Sequence, residues 1–317
     1  MVAWLERHQV PVYLGAILAG VLFGLLVPVA GPGLETAINP VLGVLLYATF
    51  LQVPARELLR SLRAGRFLGA ALVVNFVAVP LVVAVMFGWL PTDPAVRIGV
   101  LLVLLTPCVD YVIVFSGLVG GSARLLAATP VLLVAQMLLL PVFLWLFLGS
   151  DLVGIVEFGP FLRAFLTLIA IPLALAWATQ RWTTVTRVAG AGVVPLMIAT
   201  LLTVVASQVP KLGDFGTVLG VIPFYVAFLL VMPALGLATA RLFRLDTADS
   251  RAITFTGATR NSLVVLPLAL ALPDTLGVTA IVVVTQTLVE VLGMVVYVRL
   301  VPAVIRALWT QPNGAGG

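Results

Sequence analysis

Cys108, the sole cysteine in 317 residues, sits in Leu105-Thr106-Pro107-Cys108-Val109-Asp110-Tyr111, a short polar break in a long apolar run. A second break, Thr256-Gly257-Ala258-Thr259-Arg260-Asn261-Ser262, lies about 151 residues further on. A thiolate is a soft ligand suited to thiophilic elements. A single thiol holds such an element weakly, which suits a carrier that must let go. The bland reading of a lone cysteine is a small hydrophobe; its place beside Pro107 and Asp110 favours a functional one. Asp110 and Arg260 are each costly alone in hydrocarbon, so they are expected to pair, either as a static ion pair or in substrate or proton handling. Asn261 brings a donor and an acceptor to the same place. Thr106, Tyr111, Thr259 and Ser262 can supply oxygens, unless their hydroxyls bond back to their own helices.

Glu290, in Gln286-Thr287-Leu288-Val289-Glu290, falls midway along another apolar run. Low dielectric favours the neutral form of an unpaired carboxylate, so such a group can take up and release a proton, as a proton-coupled carrier needs. The alternative is a buried, hydrogen-bonded glutamate with no coupling role. Gln52, Gln136, Gln208 and Gln286 are further polar groups within apolar runs, read mainly as bonds between helices.

The surroundings of these residues set the class of protein. With 62% hydrophobic and 9% charged residues and a mean hydropathy of +1.23, the chain has too few polar side chains to cover a water-facing surface. It reads as an all-α integral membrane protein in a lipid bilayer. Runs of about 20 residues, the length that crosses a core roughly 30 Å thick as helix, recur along the sequence. Ten are expected: 10-29, 38-54, 67-90, 97-118, 123-148, 161-180, 193-210, 217-241, 252-272 and 278-304. No cleaved signal peptide is read at the start, and the tail 312-317 is expected to be disordered. Under this topology only Arg97, Arg163, Lys211 and the intramembrane Arg260 depart from the side holding both termini, out of 17 lysines and arginines. That bias places both termini in the cytoplasm of a cell membrane. It also accounts for the net charge of +5 without nucleic acid.

Landmarks recur between the halves. Gln52-Val53-Pro54 answers Gln208-Val209-Pro210, Pro80 answers Pro233, and Gln136 answers Gln286, at offsets of 156, 153 and 150. Five spans per half is an odd number, so the second half must enter from the opposite face. The expected architecture is therefore two inverted five-helix repeats, 1-149 and 161-311, joined by an external linker at 150-160. Spans 4 and 9, broken at their middles, would meet near the pseudo-two-fold axis. One cysteine excludes internal disulfides and a multi-cysteine metal cage. The sequence holds no phosphate-cradling G-x-x-x-x-G-K-[ST], no dinucleotide fingerprint and no G-x-S-x-G elbow, so neither an enzyme nor a cofactor is expected and any pumping must draw on an ion gradient.

On Pro107-Cys108, the Asn261-containing break, Leu288-Val289-Glu290 and the inverted duplication, the chain resembles the bile acid/sodium symporter superfamily, and within it the arsenical-resistance permeases. The resemblance implies secondary transport through two crossed broken helices between a panel and a core domain. It also implies functional roles for Cys108, as a ligand of arsenic(III), and for Glu290. Sodium-coupled members carry a Glu and a Gln in the second crossover where this chain has Thr256 and Arg260, and a fixed guanidinium repels sodium. Arsenite permeases usually have uncharged residues where this chain has Asp110 and Arg260. The expected function is proton-coupled efflux of arsenite and antimonite. The substrate site is expected to comprise Thr106, Cys108, Asp110, Thr259, Arg260 and Asn261, with Glu290 as proton carrier. The alternative is ion-coupled uptake of an organic anion such as a bile acid or small carboxylate, with Arg260 as its partner. The oligomeric state is left open.

Overall fold

The computed structural model describes residues 9–52, 65–108, 111–149, 163, 165–211 and 215–309. Asp110, the expected linker at 150-160 and the expected tail therefore lie outside the described residues. Among the described residues all regular structure is helical, apart from one isolated β-bridge. In chain order the helices are α1 (Gln9–Leu26), α2 (Gly31–Leu51), α3 (Gly65–Phe87), α4 (Pro94–Leu104), α5 (Tyr111–Leu118), α6 (Arg124–Leu148), α7 (Ile171–Thr179), α8 (Thr183–Gln208), α9 (Phe215–Leu242), α10 (Thr247–Ala258), α11 (Ser262–Leu270) and α12 (Val278–Trp309). Among the described residues, α3, α6, α8, α9 and α12 are long and apolar enough to cross a membrane singly. Their outward side chains are large and apolar, among them Leu81, Val85, Leu138, Leu146, Leu230 and Leu300. Such a surface has no place in water but matches lipid.

Two proline-linked irregularities shape the long helices. In α3 the turn Val74–Ala78 is π-helical, closed by the Val79 N–H donating to the Val74 carbonyl, and Pro80 follows. Proline cannot donate and its ring crowds the carbonyl four residues earlier, so a locally widened turn relieves the clash. The same device precedes α7, at Leu166–Ala170 before Pro172.

The helices pack in two groups. In the first, α8 lies against both α1 and α2, and α7 lies against α2. Gly20 and Gly24 permit the close approach of α1 to α8: a Cβ on Gly24 would stand 2.8 Å from the Ala206 carbonyl oxygen. Small residues four apart let helix backbones meet where lipid offers no hydrophobic driving force. In the second group α9 packs on α10, and α12 on α4, α9 and α11. The groups touch where α8 meets α12 and α2 meets α11.

Short polar links hold the second group together at one end. The Ser122 N–H donates to the Ala248 carbonyl at 3.1 Å, Arg251 donates to the Val119 carbonyl at 2.8 Å, and Arg124 pairs with Asp249 at 2.6 Å. These join the chain just after α5 to the start of α10. The ends of the two interrupted segments, α4–α5 and α10–α11, are therefore fixed to one another.

Candidate functional site

Where α4 and α10 end, the backbone cannot continue as helix. Thr259 is extended, at φ −92° and ψ 139°, and Pro107 has no N–H to donate. The two unwound stretches satisfy each other instead. The Cys108 N–H donates to the Thr259 carbonyl at 3.2 Å and the Asn261 N–H donates to the Thr106 carbonyl at 2.8 Å, forming an antiparallel bridge between Pro107 and Arg260. In this pattern the bridged residues exchange no hydrogen bond of their own, so the missing proton of Pro107 leaves no partner unsatisfied.

That geometry leaves the Arg260 N–H directed away from Pro107, and it donates to Glu290 Oε2 at 2.8 Å. Gln286 Nε2, one turn earlier on α12, donates to the same oxygen. Glu290 is fully buried. The sequence left open an unpaired or a hydrogen-bonded glutamate; in the fold its carboxylate completes the hydrogen bonding of the second break, because α12 runs beside the place where α10 unwinds.

The Arg260 side chain, also fully buried, folds back over the ends of two helices. One terminal nitrogen donates to the Thr256 carbonyl at 2.7 Å, to the Gly257 carbonyl at 2.8 Å and to Asn75 Oδ1 at 2.8 Å. The other donates to the Leu104 carbonyl at 3.2 Å. Thr256 and Gly257 lie in the last turn of α10 and Leu104 ends α4, so the guanidinium caps two helix C-termini together. Carbonyls freed there carry partial negative charge and favour a cation. The Phe228 ring of α9 lies 5.6 Å from the guanidinium carbon, within cation–π range. Asn75 is held in turn by donating to the Ala71 carbonyl at 3.0 Å and to Thr256 Oγ1 at 3.2 Å. It stands in the π-helical turn of α3. Gly257 lets that turn come close, since a Cβ there would meet Val74 Cγ2 at 2.6 Å.

The expected site residues are thus brought together as far as they are described. Thr106, Cys108, Thr259, Arg260, Asn261 and Glu290 are all buried around one crossing. The Thr106 and Thr259 hydroxyls bond back to the Leu102 and Phe255 carbonyls, at 2.8 and 2.9 Å. Asn261 Oδ1 caps α11 by accepting from the Val264 N–H at 3.2 Å, while Asn261 Nδ2 and Gln286 Oε1 are buried without a protein partner. Gln136 is buried with neither amide atom satisfied, and Gln52 reaches the Thr186 carbonyl at 3.4 Å, linking α2 to α8. Asp110 and its pairing with Arg260 fall outside the described residues. The bridge also corrects one correspondence. It sets Cys108 opposite Thr259 and Thr106 opposite Asn261, so Pro107 meets Arg260, 153 residues on, where the two breaks read as about 151 residues apart.

Asn75 and Phe228 escaped the sequence reading. Asn75 left a signal, as the one polar side chain between Arg66 and the end of α3; Phe228 left none, being one aromatic among many.

A narrow cleft, with room for little more than one water molecule in this conformation, lies against the crossing between the two helix groups. It is lined by Thr200, Leu201 and Val204 of α8, Ser262 and Leu266 of α11, and Val283, Val284 and Thr287 of α12. Thr287 donates to Ser262 Oγ or accepts from it at 2.6 Å. The lining offers hydroxyls and apolar surface and no charge. Among the described residues no three of His, Cys, Asp or Glu gather as a metal cage.

A family model described as the sodium bile acid symporter family matches residues 39–222, more than half of the chain. The match includes the first break with Cys108 and stops short of the second break and Glu290. No curated protein matches the chain.

Proposed function

The chain belongs to the sodium bile acid symporter family of membrane transporters, and from that premise we propose that it is a secondary carrier exporting trivalent arsenic, as neutral As(OH)3, in exchange for protons. The same reading takes antimonite as a second substrate. It adopts ten spans in two inverted five-helix repeats, with α4–α5 and α10–α11 as the crossing pair and α1, α2, α7 and α8 as the panel against which the rest moves.

The observation that carries the choice of substrate is the direction of the Arg260 guanidinium. It is turned onto the Leu104, Thr256 and Gly257 carbonyls and the Asn75 amide oxygen, and it does not line the cleft. An organic anion needs a cation presented to it, because burying a carboxylate unpaired costs several kcal/mol, on the order of a buried ion's desolvation. A small neutral solute with hydroxyl groups does not. Ser262 and Thr287 bring hydroxyls to the cleft's lining for such a solute; Asn261 Nδ2 and Gln286 Oε1, buried without protein partners, and the Cys108 sulfur lie outside that lining and would meet it in another state of the transport cycle.

The family's name points to sodium. The helix C-termini that would draw a cation to this crossing already face a guanidinium, so the residues present do not fit sodium there. Among the described residues of the crossing, Glu290 is the carboxylate available to carry a proton. It accepts from the Arg260 backbone N–H, and loss of its charge weakens that hold on the second break. A ligand drives alternating access only by binding the two states differently, and a proton on Glu290 meets that condition.

The test is growth in arsenite of cells lacking an exporter of their own. Expression of the chain is expected to restore growth, and Cys108→Ser to lose at least 10-fold in tolerated arsenite, roughly the effect of removing one 1.4 kcal/mol contact from the transport cycle. Equal protection by Cys108→Ser rejects the thiol's role; no protection by the parent chain rejects arsenite.

A further inference from the structure

The charge at the crossing raises a question that the substrate does not answer: what balances the ends of two half-helices that point into one another. Three main-chain carbonyls from two helix C-termini, with the Asn75 amide oxygen, converge on a single guanidinium that is wholly buried under an aromatic ring. Thr256 Oγ1 lies at the same place, bonded to the Asn75 amide. In carriers built on discontinuous helices, a cluster of this type, with unwound carbonyls and half-helix C-terminal ends, is where a small monovalent cation binds.

We infer that the Arg260 guanidinium is a tethered substitute for a coupling cation, occupying a cage made of the Leu104, Thr256 and Gly257 carbonyls and Asn75 Oδ1. The charge that a soluble ion would bring and remove in each cycle is here attached to the chain. The crossing is therefore held together whatever the sodium concentration, and this cage performs no ion coupling. Asn75 is the positioning residue of the arrangement. Its carboxamide joins α3 to the guanidinium on one side and to α10 through Thr256 on the other, and the π-helical turn presents it at the right depth. The geometry has a corollary: with the guanidinium removed, the oxygens remain and the cage becomes a sodium site. This deepens the carrier reading, but its test needs no transported solute, so either can fail while the other stands.

The experiment measures thermal unfolding of the purified full chain in detergent, in sodium chloride against choline chloride at equal ionic strength. The parent chain is expected to melt at the same temperature in both salts. Arg260→Ala is expected to melt lower in choline and to recover by roughly 2 °C in sodium at about ten times its Kd, along a saturable curve. A saturable rise with sodium in the parent chain overturns the inference, as does an Arg260→Ala protein that melts identically in both salts. Arg260→Gln, which keeps an oxygen near the cage, replaces Arg260→Ala if that variant does not fold. It is expected to show the same sodium-dependent recovery, and its absence is equally contrary. In a further arm, Arg260→Ala combined with Asn75→Ala is expected to need at least 10-fold more sodium for half-recovery. An unchanged requirement removes Asn75 from the cage.

Discussion

Glu290 does two separable things in this structure: it accepts the N–H that the second break leaves over, and it places a titratable group in the membrane interior. Replacing it with glutamine keeps an acceptor oxygen and removes the titration; replacing it with alanine removes both. Glu290→Gln is accordingly expected to fold near the parent's stability and to transport at a rate that no longer responds to external pH. Glu290→Ala, leaving the Arg260 N–H buried and unsatisfied, is expected to lose about 1–3 kcal/mol of stability. Unfolding curves and the pH profile of flux check the pair, and a glutamine variant with the parent's pH profile removes Glu290 from coupling. At this scale much was legible. A charged or thiol side chain in an apolar run is conspicuous because hydrocarbon penalises it, and Cys108, Arg260, Asn261 and Glu290 all stand out for that reason. What they bond to was not legible. The arginine's partners are carbonyls and an amide contributed by α3, α4 and α10, and no one-dimensional pattern announces a carbonyl.

Between residue and fold stand the helix breaks, and their chemistry follows from proline and glycine. Pro107 and the extended Thr259 end α4 and α10; the released groups pair across the break as a two-bond antiparallel bridge. The sequence located both breaks from Pro107 and from Gly257 with its polar neighbours, but not the register between them, which the bridge of Pro107 with Arg260 sets. The π-helical turn of α3 lay beyond a pattern reading altogether, since an extra residue per turn leaves hydrophobic periodicity almost unchanged over five residues. Asn75→Ala tests this level. The change removes an acceptor from a buried guanidinium and is expected to cost about 1.5–3 kcal/mol in unfolding free energy, the range for hydrogen bonds to charged groups. Asn75→Gln is expected to destabilise almost as much, because the longer side chain cannot fit a turn already close to Gly257. A neutral Asn75→Ala would mean that the turn, and not the amide, holds the crossing.

For the whole molecule, composition alone required a membrane, and among the described residues five of the ten expected spans are single helices long and apolar enough to cross one. The resemblance implied a panel and a core, but which helices pack in each group was not legible, because lipid-facing and protein-facing sides of these helices are equally apolar and small-residue contacts such as Gly24 against Ala206 distinguish them. The cleft between the groups, without charge in its lining, and the guanidinium turned away from it together argue for a small neutral cargo and for a coupling ion other than sodium. Purified protein in sealed liposomes loaded with arsenite brings these arguments to one measurement: release under an imposed pH gradient compared with release under an imposed sodium gradient. The account predicts arsenite flux that follows the pH gradient, ignores sodium and falls at least 10-fold in Cys108→Ser. Flux of a carboxylate driven by sodium, with arsenite left inside, would contradict it.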